Sequence, residues 1–119
     1  MRTLRAILLA GAGLLLGAAT VFAHHSFSAE YDTDQPITLK GIVSKVSWKN
    51  PHVTFALSVK TSDGKVTNWE VEMGSPNLLL SQGWSVSSIR TGDEVNVAGF
   101  RARNGANVVS AKKVTLEAR

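Results

Sequence analysis

The sequence predicts an all-β domain in which five strands form a small barrel, with one short helix between the third and fourth strands. Three observations carry that expectation. Apolar residues alternate cleanly through several short segments, turn residues punctuate them, and a single Ser-Pro pair opens a short leucine-rich stretch in the middle of the chain.

The strands follow in order from Pro36. From Ile37 to Trp48 the chain reads as one long extended run. Ile37, Leu39, Gly41 and Val43 share one face, while Ile42, Val46 and Trp48 take the other parity. A change of face near Gly41 is what a bulge or sharp bend produces. Asn50-Pro51 breaks this strand. Val53, Phe55, Leu57 and Val59 then alternate with Thr54, Ala56, Ser58 and Lys60 as a second strand, and Ser62-Asp63-Gly64-Lys65 is a hairpin signal. In the third strand Trp69, Val71 and Met73 face one way, and Glu70 and Glu72 the other. Ser75 is a helix N-cap and Pro76 a first helical residue whose missing N–H costs nothing there. The helix runs through Gln82, Gly83 is a left-handed stop, and Trp84 packs back on it. The fourth strand spans Glu94 to Phe100 and the fifth Val108 to Leu116. Five strands, a helix between strands 3 and 4 and a first strand long enough to bend match an OB-fold-like barrel. Its expected interior includes Val43, Phe55, Leu57, Trp69, Val71, Val97 and Val114.

Ahead of the barrel, residues 1–23 read as a secretory signal peptide. Arg2 and Arg5 give a positive start, Ala6 to Phe22 carries no charge, and Val21-Phe22-Ala23 has small or branched residues at the positions a signal peptidase reads. The 17 uncharged residues, broken by Gly11, Gly13 and Gly17, fall short of the ~20 of a spanning helix, so no stable membrane insertion is expected after cleavage. Residues 24–36 form an N-terminal arm and 37–119 the barrel, in a periplasmic or secreted protein.

Charge and cysteine content set further bounds. The whole chain carries 13 basic and 9 acidic residues, and removal of Arg2 and Arg5 leaves 11 against 9. That near-balance argues for no nucleic-acid partner. With no cysteine in the chain, the core alone must stabilise the domain.

The histidines are the sharpest chemical feature. His24 and His25 open the processed chain and His52 sits at the turn between the first two strands. Cleavage gives His24 a free amine beside its imidazole. That pair can chelate a metal ion, with His25 or His52 adding a further nitrogen and Glu30 or Asp32 an oxygen. Such donors suit Cu(II), with Zn or Ni as weaker candidates, and the amine, with a reference pKa of ~7.7–8.0, makes binding compete with protons near neutrality. The plainer reading comes first: a solvated His-His tail, and a turn histidine bonded to nearby backbone. From His25 to Pro36 the arm spans at most roughly 36 Å, enough to reach His52 and much else on a domain whose radius of gyration is ~13 Å.

Other constellations are weaker. Glu70 and Glu72, roughly 6.5–7 Å apart on one strand face, can be paired carboxylates but are more simply a solvated face. Ser26 beside the histidines has no positioned acid. Lys45, Lys49, Arg101, Arg103, Lys112 and Lys113 make a mild basic surface, and Trp48, Phe55 and Trp69 could stack bases, although core packing explains these aromatics better. No nucleophile–base pair or cofactor motif occurs, so no enzyme is expected.

Taken jointly, His24-His25-Ser26-Phe27, Ala29-Glu30-Tyr31-Asp32, Trp48-Lys49-Asn50-Pro51-His52, Asn68-Trp69-Glu70, Gly74-Ser75-Pro76-Asn77, Gly83-Trp84 and Gly92-Asp93 resemble a family of small exported bacterial proteins of unknown function. In that family the export signal is likewise followed by Ala-His-His-Ser-Phe, matched here by Ala23 to Phe27, and an Asn-Pro-His turn is matched by Asn50, Pro51 and His52. The resemblance implies the fold and the compartment and brings no activity. The expected function is therefore an exported, non-enzymatic binding module for a small ligand, a metal ion or a periplasmic protein, with copper at His24, His25 and His52 as its most specific form. The alternative is a protein–protein accessory module that uses no metal. Intact-mass measurement of the exported protein should give a chain beginning at His24.

Overall fold

The structure, a computed structural model, describes residues 27–119. The signal-peptide segment, His24, His25 and Ser26 lie outside the described residues. The chain divides into two compact units, Met1–Glu30 and Tyr31–Arg119. Within the first, residues 27–30 form a single exposed helical turn.

The second unit is a closed barrel of β1 (Tyr31–Ser47), β2 (Thr54–Lys60), β3 (Val66–Glu72), β4 (Glu94–Ala102) and β5 (Val108–Ala118), with α1 (Pro76–Ser81) between β3 and β4. Around the ring the order is β1-β2-β3-β5-β4, and β4 pairs with β1 to close it. Every neighbouring pair is antiparallel except β3 with β5, which run parallel through Glu70–Glu72 and Val108–Ser110. This is the expected five-stranded OB-fold-like architecture.

β1 is the longest strand and starts earlier than its sequence suggests. Tyr31 already pairs with Ala102 and Pro36 with Phe100, so residues 31–36 belong to the barrel rather than to an arm ending at 36. The ladder shifts register between Tyr31 and Pro36, and that irregularity erases the period-2 pattern by which a strand is read. Further along, Tyr31–Ile42 pairs with β4 and Ile42–Ser47 with β2. The change of face lies between Val43 and Lys45 rather than at Gly41. Leu39, Gly41 and Val43 all face inward, Ile42 points outward, and the extra residue at Ser44 turns Val46 back onto the core. Gly41 has a different duty. A Cβ there would collide with the Ser58 carbonyl and touch Leu57, so its missing side chain lets β1 and β2 close at the bend.

The core is built from the alternation in the strands. Val43, Phe55, Leu57, Trp69, Val71, Val95, Val97 and Val109 form a buried cluster with Leu39 and Ile89. Val114, expected inside, is half-buried and packs against that cluster. β5 slips against β4 at Ala98/Gly99, which offsets its alternation from that of its partner. Arg101 continues the inward parity of Val95, Val97 and Gly99 at the end of β4. Its guanidinium lies 4.9 Å from the centre of the Trp69 ring and donates to the Gly105 carbonyl at 2.9 Å and to Asn107 Oδ1 at 3.0 Å. A cation over an indole face that also donates to loop acceptors is stable at such a barrel end.

α1 starts and stops as its sequence dictates. The Ser75 hydroxyl accepts from the Leu78 N–H at 3.2 Å, Pro76 follows it, and Gly83 has φ +90. Leu79 is buried, the Trp84 N–H donates to its carbonyl at 2.9 Å, and Trp84 and Ile89 pack on the core. Among the described residues no helix is long and apolar enough to cross a membrane.

One buried charge sits ahead of β4. Asp93 accepts from the Arg90 N–H at 2.8 Å and from Arg119 at 3.3 Å. The Arg119 guanidinium, then the Arg90 N–H, hold its carboxyl below the ordinary carboxylate value.

Three outcomes follow from this packing. Phe55, 2% exposed, should cost about 3–5 kcal/mol when truncated to alanine. Ile42→Ala, at a side chain 44% exposed, should cost under ~1 kcal/mol by urea denaturation. The depressed Asp93 makes the third. Its stabilising effect is fully present above the unfolded-state value of ~3.9 and is lost as pH falls through the lower folded value. Asp93→Asn should therefore be less stable at neutral pH, and its urea midpoint should fall less steeply than the wild type's below about pH 4.

Candidate functional site

Barrel closure collects one set of polar side chains at a single end. The start of β1 lies beside the end of β4, the end of β4 beside the start of β5, and the start of β5 beside the end of β3. The end of β3 in turn pairs with the start of β2 through Thr54 and Glu72. The β1–β2 turn is drawn in by two backbone bonds: Val53 N–H donates to the Gly74 carbonyl at 2.9 Å, and Met73 N–H to the Val53 carbonyl at 2.8 Å. This turn contains the cis Asn50-Pro51 bond, and His52 follows directly.

The result is a three-residue polar chain. Tyr31, 4% exposed, donates its hydroxyl proton to Glu72 Oε2 at 2.7 Å. The other Glu72 oxygen, Oε1, lies at ion-pair distance, 2.9 Å, from His52 Nδ1. The side chain of Glu72 is 27% exposed and that of His52 49%. Beside this chain Arg103 donates to the Tyr31 carbonyl at 3.4 Å and lies 3.8 Å from the Asp32 carboxylate, which steadies the first residues of β1.

Of the sequence-predicted metal ligands, His52 lies at ion-pair distance from Glu72. His24 and His25 lie outside the described residues. Glu30 is exposed in the first unit, and Asp32 pairs with Arg103. Among the described residues no group of three or more His, Asp or Glu side chains gathers around one point where an ion could sit. Glu70 and Glu72 do share the outer face of β3, but Glu72 is committed to His52 and Tyr31. Phe55 and Trp69 are buried in the core. Arg101 covers Trp69 and serves the β4–β5 loop, while Lys45, Lys49, Arg103, Lys112 and Lys113 are exposed.

Two participants escape a reading of the sequence. Tyr31 lies 41 residues from Glu72, and its surroundings of Glu30, Asp32 and Asp34 resemble a solvated arm. The available signal is that it is the chain's single tyrosine, set where a strand is about to begin. Glu72 reads as one of a pair with Glu70, whereas its true partners come from two other segments.

The sequence matches the family of unknown function DUF6152 over residues 12–111. The chain belongs to that family. No curated protein matches it. Among solved structures the DUF6152 chain is similar to the mitochondrial single-stranded DNA-binding protein Rim1 of S. cerevisiae. The identity is 11%, 71% of this chain and 95% of that one are covered, and the TM-score is 0.56. It is also similar to the N-terminal domain of the PriB protein from Thermoanaerobacter tencongensis, described as dimeric. There the identity is 18%, coverage 72% of this chain and 99% of the other, and the TM-score 0.54. At such identities the likeness is one of fold. It nonetheless overturns the expectation that set nucleic acid aside. That exclusion rested on net charge, which does not report how charge is arranged on one face of a barrel, and the barrel is shared with a single-stranded DNA-binding protein.

Proposed function

We propose that this chain is an exported, non-enzymatic binding module, periplasmic or secreted, that takes a metal ion through His52, with copper the ion it suits best. One observation carries the reading: the Glu72 carboxylate 2.9 Å from His52 Nδ1. A metal-binding histidine commonly gives its second nitrogen to such a carboxylate, which orients the ring and makes the free nitrogen more basic. His52, on a half-exposed side chain, lies at ion-pair distance from such a carboxylate. Its proposed companions, His24 with its terminal amine and His25, enter on chemistry alone as nitrogen donors suited to Cu(II).

A second reading is favoured by the fold likeness to a single-stranded DNA-binding protein: a single-stranded nucleic acid laid on the barrel. An accessory role on a protein partner is the outcome left if neither ligand binds.

The deciding experiment is a Cu(II) titration at neutral pH of protein beginning at His24, beside His52→Ala and a variant with Gly-Ser added ahead of His24. Both changes should weaken binding, by tenfold or more for His52→Ala. Equal affinity in wild type and His52→Ala would remove His52 from the site. Titration with an oligothymidylate at two salt concentrations tests the second reading, which requires binding that falls as salt rises.

A further inference from the structure

The parallel pairing of β3 with β5 is short. It ends at Ser110, and from Ala111 to Ala118 the ladder of β5 is with β4 alone, on its other side. Where β3 lacks β5, before Glu70, the β4–β5 loop fills in: the Asn107 carbonyl accepts from the Glu70 N–H at 2.9 Å. Nothing comparable covers the second half of β5. Among the described residues no loop backbone bonds to residues 111–118. The strand is nonetheless held extended. Just past its end, Arg119 donates to the Ser88 carbonyl at 2.9 Å and pairs with the buried Asp93. A fixed strand with one open row of N–H and C=O groups is a template for another strand.

We propose that this edge of β5 pairs antiparallel with the same edge of a second copy of the chain, about a twofold axis at Thr115, joining two barrels into a dimer. The strand is complementary to itself in that register. Lys113 stands opposite Glu117 across the two copies, Val114 opposite Leu116, and Thr115 opposite Thr115. Lys113, Thr115 and Glu117 lie on the outer face, where Lys113 pairs with Ala98, Thr115 pairs with Asn96, and Glu117 Oε1 accepts from the Asn96 amide. Val114 and Leu116 share the other face, and Leu116 is 43% exposed where β3 no longer runs alongside. Opposite charges and threonine pairs directly across an antiparallel ladder are favourable, and residues 112–118 would supply roughly 6–8 main-chain hydrogen bonds.

Other symmetric registers lose these matches. Centred on Val114, Lys112 meets Leu116 and Lys113 meets Thr115, with no ion pair. Centred on Lys113, like charges meet, and centred on Leu116 the ladder runs off its end at Ala118. Lysines on an edge ordinarily deter strand addition. Glu117 on the same face turns Lys113 into a selector that admits a second copy and repels other basic edges.

Sedimentation of protein beginning at His24, over a range of micromolar concentrations, should show a monomer–dimer equilibrium. Lys113→Glu sets like charges opposite one another twice, once per copy, and should weaken the dimer about tenfold or more. Glu117→Lys should do the same, and the two changes together should restore the dimer with the signs exchanged. Both side chains are exposed, so at concentrations where wild type and Lys113→Glu are monomeric their urea midpoints should coincide. Cross-linking reads the register, since the chain has no cysteine of its own. Thr115→Cys should give a disulfide-linked dimer on mild oxidation, because Cα atoms opposite one another lie ~4.5–5.5 Å apart, within disulfide reach. Lys112→Cys, exposed on the same strand, should not link, its two copies being roughly 20 Å apart in this register. A monomer at every concentration, a dimer indifferent to Lys113→Glu, a double variant that stays monomeric, or equal linking at 112 and 115 would each overturn the proposal.

Discussion

β1 has to serve two neighbours, and the rest of the barrel depends on how it does so. Its first half is laced to β4 and its second to β2, so the strand must bend without exposing its apolar side. Two local devices achieve this. Gly41 lets the Ser58 carbonyl approach where any side chain would collide, and the extra residue at Ser44 resets the parity so that Val46 faces the core again. Without the reset, every inward residue after Val43 would point to water. The β1–β2 turn would then leave at a different angle, and His52 would no longer meet Glu72.

Most of the barrel is legible because its signals are local. Val53, Phe55 and Leu57, or Trp69 and Val71, state their inward face by alternation alone. Ser75-Pro76 and Gly83 bracket α1 through capping chemistry that involves only adjacent residues. What fails to show is set by partners distant in the chain. Residues 31–36 are polar because one side of them meets solvent, and only β4 makes them a strand. The parity change is placed at Val43/Lys45 by pairing with β2, which the glycine two residues earlier does not announce.

The candidate site shows the same division more sharply. His52 stands out from composition, since histidine is scarce in this chain and this one follows a strand-breaking Asn-Pro. Its two supports do not stand out. A glutamate on a strand that alternates with Trp69 and Val71 looks like ordinary solvated surface, and a tyrosine among acidic residues looks like linker. Their relation exists only once β3, β5 and β4 have carried the end of one strand round to the start of another.

That circuit closes through a seam of three residue pairs, Glu70–Glu72 against Val108–Ser110, and the seam has a bearing on when the domain can form. Parallel pairing needs a long crossover, and here α1 and β4 supply it before β5, the last strand of the barrel, can pair with β3. Contacts between distant segments are paid for in loop entropy before they return any stability, so such folds assemble late and slowly. A chain emerging from the ribosome would hold an open β1–β2–β3 sheet with both edges unpaired until β4 and β5 had been made. An unclosed polypeptide is what a secretory channel can thread, so the strand order suits the proposed export: the barrel shuts only when its final strand has arrived.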